Sequence, residues 1–484
     1  MGPDDRVPPL WNPDLSAGEG AKFRALATHI REAARSGRLA PGSRLPPVRD
    51  LAWALKVTPG TVARAYQLAA AEGVIESHVG RGSYVAHPRA RQAPLQPLLY
   101  ESVDPAQVAG HLADLRIPQL PDCGQNAVIA RHLADVAAGL DADILDYTPL
   151  SRDMACRLAL LDWLRPRLPG RLSPEDLVLT HGGQNALSLV MAITLVGERP
   201  LVMTEALAYP GMQQAARLMR ARPLPVALDA EGVIPEALDR VARRSGARLV
   251  YLTPSAQNPT AAAMSAARRA AIIAIARRHD LQIVEDECYA PGPDPDHGQA
   301  LRTLAPERVW YVTSLSKSVA AGLRFGVLVC PDGMGQQGRL AAQHSHMGLS
   351  LPITALVTRL LQSGDARMLA DKGVLAIEER RLMALRVLAG LDVRSQPGLP
   401  FLWLSLPAPW RAEAFCRRAA ELGVIVRPAA EFAVTDPEPN AGAGPHLPQA
   451  VRIALACRLP PAQLETALTA ISRLAGTSPG EMSE

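Results

Sequence analysis

A lysine that follows two serines is the feature of this chain with the clearest chemical meaning. Ser314 and Ser316 precede Lys317, and Arg324 lies seven residues beyond it. The lysine amine can form a Schiff base (an aldimine) with an aldehyde, while hydroxyl and guanidinium groups can hold a phosphate. These groups in this order are typical of a pyridoxal 5'-phosphate (PLP) site. A Ser-x-Lys stretch alone is more often a solvated loop, so the assignment depends on other groups in the chain.

A glycine-rich turn is a second candidate for phosphate binding. Gly182, Gly183 and Gln184 follow a short apolar run and precede a helical stretch. The free backbone N–H groups and the dipole at a helix N-terminus favour a phosphate there. Tyr209, in an Ala-Tyr-Pro-Gly stretch, could stack on a planar ring. Taken singly, the two glycines indicate an ordinary turn and the tyrosine an ordinary loop.

Three further polar side chains follow in order along the chain. Asp286 comes at the end of a buried apolar run, and open α/β sheets bind ligands at the carboxyl ends of their strands. A carboxylate there can keep a pyridine nitrogen protonated, which makes the ring an electron sink. Asn258 and Tyr289 could both hydrogen-bond a phenolic oxygen, although an asparagine at such a position is also a common loop cap. The ordered set favours a cofactor site over these separate alternatives.

The elements that must position these side chains alternate between β-rich and helical stretches from about residue 122. Six apolar runs predict strands, at residues 177–180, 199–204, 248–253, 282–285, 309–313 and 325–330. Because these runs are continuously apolar, helices should cover both faces of the sheet. The pattern predicts an α/β domain with a mostly parallel sheet over residues 122–475.

The N-terminal part of the chain has a different character. Residues 16–90 carry eleven Lys or Arg and five Asp or Glu, whereas the whole chain of 484 residues has a net charge of only +4. Helices are predicted over residues 23–34, 48–55 and 61–71, and a hairpin with glycines follows. This arrangement predicts a winged helix-turn-helix over residues 16–86. It indicates DNA binding, although a solvated basic face is an equally common cause of the charge bias.

The start of the third predicted helix should enter the major groove of DNA, as recognition helices do. The residues expected near bases or phosphates there are Thr58, Gly60, Thr61 and Arg64. Arg44 and Arg49 are expected near the DNA backbone. Arg81, with the help of His78, is expected at the wing tip, where an arginine can reach phosphate or a narrow minor groove.

Composition limits the classes of protein that the chain can represent. A proline-rich stretch over residues 87–121 predicts a semi-extended linker, with tails at 1–15 and 476–484. The longest apolar run is shorter than the ~20 residues of a membrane span, and the N-terminus has no apolar signal segment. The six cysteines lack C-x-x-C spacing, which argues against a zinc site and a disulfide framework. We therefore expect a cytoplasmic protein without a metal.

Three stretches of the N-terminal module resemble the GntR-type winged helix. They are residues 41–52 (PGSRLPPVRDLA), 61–66 (TVARAY) and 80–85 (GRGSYV). Residues 122–475 are similar to the fold-type-I aminotransferases through the ordered set of cofactor residues. That resemblance implies a large α/β fold with a small C-terminal α+β subdomain. The two modules together resemble the MocR-type transcriptional regulators over almost the entire chain.

The resemblance implies a role for each residue of the ordered set. Lys317 is the Schiff-base lysine, Asp286 pairs with the ring nitrogen, and Arg324 binds phosphate together with the two serines and the glycine turn. Arg452 matches the arginine that grips a substrate carboxylate, a task suited to a planar bidentate donor. Tyr147 matches the tyrosine that reaches the cofactor phosphate of a neighbouring subunit, which implies a homodimer.

Two functions are compatible with this resemblance. The first is a PLP-dependent, DNA-binding transcriptional regulator whose large domain senses PLP or an amino compound through an aldimine. The second is an active PLP-dependent aminotransferase of an amino acid, with an ancillary DNA-binding domain. Both begin with the same reaction at Lys317, so the sequence does not separate them. The chain departs from the family pattern at Ala261, where glycine is usual, and at residues 151–157.

Overall fold

The computed structural model describes residues 22–35, 38–40, 42–71, 74–78, 82–85, 113–140, 142–147, 149, 151–289, 298–435 and 447–477. The chain divides into two compact units, Met1–Gln96 and Pro97–Glu484. The predicted N-terminal tail, the stretch 86–112 and residues 478–484 lie outside the described residues. Each unit has a hydrophobic core of its own.

Three helices and a hairpin form the small unit. They are α1 (Lys22–Arg35), α2 (Val48–Ala54), α3 (Pro59–Ala71), β1 (Ile75–His78) and β2 (Gly82–Val85). Leu26, Ile30 and Val62 are fully buried between the helices. The two strands pair antiparallel, with Ile75 opposite Val85. The predicted winged helix-turn-helix is confirmed, with helix bounds that differ from the prediction by one or two residues.

Short strands alternate with helices through the large unit. The strands are β3 (Ala113–Asp114), β4 (Leu177–Thr180), β5 (Leu201–Glu205), β6 (Arg222–Val226), β7 (Leu228–Asp229), β8 (Gly232–Val233), β9 (Leu249–Leu252), β10 (Gln282–Asp286), β11 (Val309–Ser314), β12 (Gly326–Val329), β13 (Asp392–Arg394), β14 (Phe401–Ser405), β15 (Val424–Ile425), β16 (Arg427–Pro428) and β17 (Ala450–Ala454). The α-helices are α4 (Gln125–Ala138), α5 (Met154–Leu164), α6 (Gly183–Thr194), α7 (Pro210–Leu218), α8 (Pro235–Ser245), α9 (Ala266–Arg278), α10 (Leu301–Leu304), α11 (Gly335–His346), α12 (Leu351–Gln362), α13 (Asp365–Val387), α14 (Ala412–Glu421) and α15 (Pro461–Ala475). Among the described residues, no helix has the length and apolar content needed to cross a membrane.

Seven strands pair into a central sheet, in the order β4-β12-β11-β10-β9-β5-β6. Strand β12 is antiparallel to both neighbours, and all other pairs are parallel. Every residue of β4, β9, β11 and β12 is buried, because apolar helix faces cover both sides of the sheet. The predicted α/β domain with a mostly parallel sheet is confirmed.

Strand β6 is absent from the sequence prediction because its sequence, Arg-Pro-Leu-Pro-Val, contains two prolines. Proline has no N–H to donate to a strand ladder, so it is confined to edge strands. Strand β6 pairs only with β5 in the sheet, with Pro223 opposite Val202 and Pro225 opposite Thr204. The strand therefore forms at an edge of the sheet, where its prolines are tolerated.

A second sheet, in the order β13-β14-β17-β16, lies in the C-terminal part of the large unit. Helices α13, α14 and α15 contribute to the hydrophobic core beside it, for example through Met383, Phe415 and Leu468. Strand β17 is central, and its Arg452 lies between Trp403 of β14 and Arg427 of β16. This is the expected small α+β subdomain.

Residues 113–121, which the sequence analysis assigned to the linker, lie on the large unit. Strand β3 pairs in parallel with β15, with Ala113 opposite Val424. Leu115 is fully buried in the core of the C-terminal subdomain, and Gln119 N donates to the Ala456 carbonyl at 2.7 Å. The surrounding prolines conceal this short apolar segment in the sequence. The described part of the large unit thus begins at residue 113, within the predicted linker.

Candidate functional site

The glycine turn lies between the carboxyl end of β4 and the start of α6. Gly182 has a φ angle of +83° and immediately precedes the helix. A Cβ atom on Gly182 would lie 2.9 Å from Arg324 Nη2, and glycine adopts this positive φ angle without strain. Arg324 Nη2 also donates to the His181 carbonyl at 3.3 Å. The turn and Arg324 thus form one basic surface at a helix N-terminus, which suits a phosphate.

The first residues of α6 pack against the neighbouring strand ends. A Cβ atom on Gly183 would lie 2.7 Å from Cys288 Sγ, so a larger residue would push the helix away from the loop after β10. Gln184 Nε2 donates to the Gly211 carbonyl at 2.8 Å. These contacts connect the glycine turn with α7 and with the chain around Asp286.

Lys317 ends a turn of 3-10 helix that follows β11. Its Nζ atom donates to the Pro118 carbonyl at 2.8 Å and lies 5.3 Å from the centroid of the Tyr289 ring. Ser314 is the last residue of β11, and Ser316 Oγ is buried without a hydrogen-bond partner within the described residues. A buried hydroxyl without a partner is unfavourable, so Ser316 is available for a ligand oxygen.

Asp286 is held at the carboxyl end of β10 by two hydrogen bonds. Tyr251 on the adjacent strand β9 donates its hydroxyl to Oδ2 at 2.7 Å, and the backbone N–H of Cys288 donates to Oδ1 at 3.0 Å. Burial raises the pKa of Asp286 above its usual range. A protonated pyridine nitrogen nearby would offset that effect, because it supplies the opposite charge.

Two tyrosines lie near this carboxylate. Burial, followed by the proximity of Tyr289 and Asp286, raises the pKa of Tyr209 above its usual value. The Tyr289 ring contacts Phe401 edge to face, with 5.4 Å between the ring centroids. Phe401 belongs to β14, so Tyr289 lies between the central sheet and the C-terminal subdomain. Both tyrosines are therefore grouped with the predicted cofactor residues.

Arg452 is buried on β17 and reaches toward the same region. Its Nη1 atom donates to Asn258 Oδ1 at 2.7 Å, and its Nη2 atom donates to the Arg116 carbonyl at 2.6 Å. Its Nε atom is buried without a hydrogen-bond partner in the described part of the chain. Burial lowers the pKa of Arg452 to about 10. A carboxylate would suit this buried guanidinium better than its present neutral acceptors.

Ala261, the position where the related family usually has glycine, adopts a left-handed backbone conformation with a φ angle of +57°. An L-residue with a side chain loses about 1 kcal/mol or more there. Hydrogen bonds compensate: Ala261 N donates to the Gln257 carbonyl at 2.8 Å, and its carbonyl accepts from Gln396 Nε2 at 2.8 Å. The loop that carries Asn258 therefore keeps the backbone shape that glycine would favour.

Glu205 is a buried residue of the site that the sequence analysis missed. Its carboxylate accepts from Thr253 N at 3.0 Å, from Thr253 Oγ1 at 2.7 Å and from Gln257 Nε2 at 2.9 Å. Gln257 Oε1 in turn accepts from the backbone N–H and from the hydroxyl of Thr260. The network therefore supports the loop around Asn258. A carboxylate that ends an apolar strand is the signal that singled out Asp286, and the same signal is present at Glu205.

A Glu205→Gln variant should show how this network depends on pH. Burial raises the pKa of Glu205 to about 7, so between its ordinary pKa and 7 the folded chain binds a proton that the unfolded chain has lost. The free energy of unfolding should therefore fall as pH rises through that window, by at most about 3 kcal/mol. Glutamine cannot titrate and should remove this slope. Urea unfolding at about pH 5 and about pH 8 measures it, and equal slopes in both proteins would contradict the assignment.

Tyr147 lies apart from the other predicted cofactor residues. Its side chain is 82% exposed, and it follows Leu145, which is 85% exposed. Within the chain, the described contacts of the cofactor residues do not include Tyr147. Its predicted role at a cofactor phosphate therefore requires a second subunit.

The predicted DNA-contacting residues lie at the start of α3 and around it. Thr58 Oγ1 caps α3, because it accepts from Thr61 N at 3.3 Å and lies 2.9 Å from the Thr61 hydroxyl. Gly60 lies in the first turn of the helix. Arg64 is exposed but lies over the Phe23 ring of α1, with its guanidinium carbon 5.0 Å from the ring centroid.

The predicted DNA-backbone contacts occupy two different elements. Arg49 is exposed on α2. The backbone of Arg44 forms an isolated antiparallel β-bridge with Tyr84 of β2, and its guanidinium lies against Gly82 of the same strand. The side chain of His78 and the whole of Arg81 lie outside the described residues, so their predicted contacts stay predictions.

The groups at the carboxyl edge of the central sheet fit PLP. Arg324 and the glycine turn offer a cation and helix N–H groups to a phosphate, and Ser316 offers a buried hydroxyl. Asp286 lies partly buried at a strand end, and Lys317 follows the end of the next strand. This arrangement on a seven-stranded sheet with one antiparallel strand defines the fold-type-I class of PLP-dependent transferases.

Comparison with known families identifies both units. The model of "Aminotransferase class I and II" matches residues 115–471, and the model of "Bacterial regulatory proteins, gntR family" matches residues 23–85. The chain belongs to the class I and II aminotransferases and, with its gntR-type domain, to the MocR-type regulators.

Individual proteins are similar over most of the chain. The uncharacterized HTH-type transcriptional regulator YdeF of Bacillus subtilis (strain 168) is 26% identical over 475 residues, which cover 97% of this chain and 98% of YdeF. The probable rhizopine catabolism regulatory protein MocR of Rhizobium meliloti is 26% identical over 370 residues, which cover 70% of this chain and 72% of MocR. The crystal structure of an archaeal alanine:glyoxylate aminotransferase has a TM-score of 0.67 at 23% identity, covering 76% of this chain and 91% of that chain. That structure establishes the fold of the large unit.

Proposed function

We propose that this protein is a PLP-dependent, DNA-binding transcriptional regulator whose large unit senses PLP or an amino compound that reacts with it. The observation that carries the proposal is the presence of two complete modules in one chain. The small unit presents the capped start of α3. The large unit carries Asp286 and Lys317 at the carboxyl edge of its central sheet, and Arg452 reaches Asn258 from the C-terminal sheet. The similarity to the HTH-type transcriptional regulator YdeF, which spans both modules, supports this reading.

Each site residue has a distinct task in this proposal. Bound PLP supplies an aldehyde and an electron-withdrawing pyridine ring. Lys317 provides the amine, and Asp286, oriented by Tyr251, holds a proton on the ring nitrogen. The glycine turn, Arg324 and the serines hold the phosphate, while Tyr209, Asn258 and Tyr289 position the ring. Arg452 receives the carboxylate of an amino compound.

In this proposal the protein is a cytoplasmic homodimer that binds double-stranded operator DNA. The exposed side chains of Leu145 and Tyr147, which are two residues apart in the sequence, support a subunit contact, because large apolar groups are rarely left in water together. Through that contact Tyr147 would reach the cofactor phosphate of the other subunit. An effector changes DNA binding only to the extent that it binds one dimer arrangement better than another.

An active aminotransferase is the second candidate. The retained Lys317, Asp286 and Arg452 favour it, since amino transfer needs an amine, a support for the ring nitrogen and a carboxylate clamp. Steady production of a keto acid from an amino acid would support this alternative. A spectral change on amino acid addition, without turnover, would support the regulator.

Binding of the purified protein to its own upstream intergenic DNA, with and without PLP, tests the main proposal. An Arg49→Ala variant should bind that DNA about tenfold more weakly at about 0.1 M salt, because one phosphate contact is lost. Its plot of log affinity against log salt should be shallower by about one unit. Arg165→Ala, which removes an exposed arginine of the large unit paired with Asp162, is the matched control. If both variants bind the DNA as tightly as the unmodified protein does, Arg49 on α2 does not contact it. If no protein binds this DNA specifically under any condition, the active aminotransferase is favoured.

A further inference from the structure

The segment Leu115–Gln119 contacts both of the cations that a ligand would need. Lys317 Nζ donates to the Pro118 carbonyl at 2.8 Å. Arg452 Nη2 donates to the Arg116 carbonyl at 2.6 Å. The two carbonyls are two residues apart on a segment that bends at Arg116 and Ile117, whereas the two cations come from different subdomains. One short piece of backbone therefore accepts hydrogen bonds from both Lys317 and Arg452.

This segment is anchored at both of its ends. Leu115 N donates to the Ile425 carbonyl at 2.9 Å, and the Leu115 carbonyl accepts from Ala454 N at 2.9 Å. Gln119 N donates to the Ala456 carbonyl at 2.7 Å. Residues 113–114, which form β3, immediately precede the segment and are the first described residues of the large unit.

A bound ligand would compete with both carbonyl contacts. A lysine amine joined to a cofactor aldehyde has fewer N–H donors than a free ammonium, and its nitrogen is directed at the cofactor. A carboxylate accepts from a guanidinium in a charge-assisted, bidentate pair, which is about twice as strong as a bond to a neutral carbonyl. The cofactor therefore removes the contact at Pro118, and a carboxylate removes the contact at Arg116.

We propose that residues 115–119 act as an internal competitor that reads the occupancy of the site, and that both contacts are lost only when PLP is attached to Lys317 and a carboxylate is bound at Arg452. This inference rests on the proposed function and names its effector class. PLP by itself frees one contact. An amine without a carboxylate leaves Arg452 bound to the Arg116 carbonyl, so the segment stays attached. A carboxylate bound beside the attached cofactor frees both contacts and leaves the segment held by its three backbone hydrogen bonds alone. An amino acid that takes the aldehyde from Lys317 returns the lysine amine, which can again donate to the Pro118 carbonyl.

The local step can be measured without DNA and without an identified effector. Amide hydrogen exchange is followed by mass spectrometry on peptides that cover residues 113–121 of the full chain. In a Lys317→Met variant, which keeps an unbranched side chain but no donor, exchange in this segment should rise about tenfold, as expected for one lost hydrogen bond. PLP should produce a rise of similar size in the unmodified protein and no further rise in the variant.

Matched controls separate release from general destabilisation. Lys372→Met replaces an exposed lysine of α13 and should leave exchange in the segment unchanged. Amides of β10 and β11, in the centre of the sheet, should exchange equally in all proteins. A second variant, Arg452→Gln, should also raise exchange in the segment, and the double variant should exceed either single one. If the segment exchanges at the same rate in all of these proteins and with PLP, the inference is overturned.

The failure of this inference can be distinguished from the failure of the proposed function. If operator affinity responds to PLP while exchange in residues 113–121 does not, the regulator stands and the internal competitor is overturned. If exchange responds while operator affinity does not, the competitor is supported and the regulator fails.

Discussion

A Lys317→Ala variant is expected to carry no covalently attached PLP and to bind operator DNA equally with and without the cofactor. The reason is chemical, because no other amine is placed by the fold beside Arg324, Ser316 and Asp286 among the described residues. The chain contains four lysines, Lys22, Lys56, Lys317 and Lys372. Borohydride reduction followed by peptide mass analysis can therefore assign the attachment point directly. The visible absorption of the attached cofactor should disappear completely.

The control for this experiment is Lys372→Ala, which removes an exposed lysine outside the site. It should keep the adduct, the absorption and the response of DNA binding to PLP. An adduct that persists in the Lys317→Ala variant would place the reactive lysine elsewhere. Loss of the adduct with an unchanged response to PLP would show that the response needs only non-covalent binding.

The second large effect is expected from Arg452→Ala. Its guanidinium is buried, and removal of one partner of a buried charge pair costs about 2–5 kcal/mol, or roughly 30- to 5,000-fold in affinity. Affinity for amino acids should fall by that factor, while uptake of PLP should be nearly unchanged. Titration of the PLP-loaded protein with amino acids, followed through the visible spectrum, measures both quantities.

Two variants make this result specific. Arg452→Lys keeps the positive charge but loses the planar fork, so it should recover only part of the affinity. Arg359→Ala removes an arginine whose partner, Asp135, is half exposed, and it should have no effect. If Arg452→Ala binds amino acids as the unmodified protein does, the carboxylate is recognised by another residue.

Several elements of the fold could be predicted from local patterns. The apolar spacing in α1 and α3, and the proline at the start of α3, locate the winged-helix elements to within one or two residues. The continuous apolar runs of β4, β9 and β11 predict strands that are buried on both faces, and the structure buries every residue in them. These patterns are local because each depends only on the side chains and backbone preferences of neighbouring residues.

Other features could not be predicted because they depend on distant partners. Strand β6 has a composition that argues against a strand, and it forms only because β5 offers an edge. Tyr251 shows its importance only through its contact with Asp286, which lies 35 residues away. Glu205 ends an apolar strand, but its partners Thr253 and Gln257 lie 48 and 52 residues away. No periodicity records such contacts.

The sequence by itself determined the two modules, their order, and the identities and order of the residues proposed to bind PLP. Those depend on residue type and local spacing, which the chain displays directly. The tertiary structure alone decided that residues 113–121 belong to the large unit, and that the carbonyls of Arg116 and Pro118 meet Arg452 and Lys317. These two hydrogen bonds join positions that are 336 and 199 residues apart in the sequence. They form only because the fold brings the C-terminal subdomain and the edge of the central sheet to the same segment.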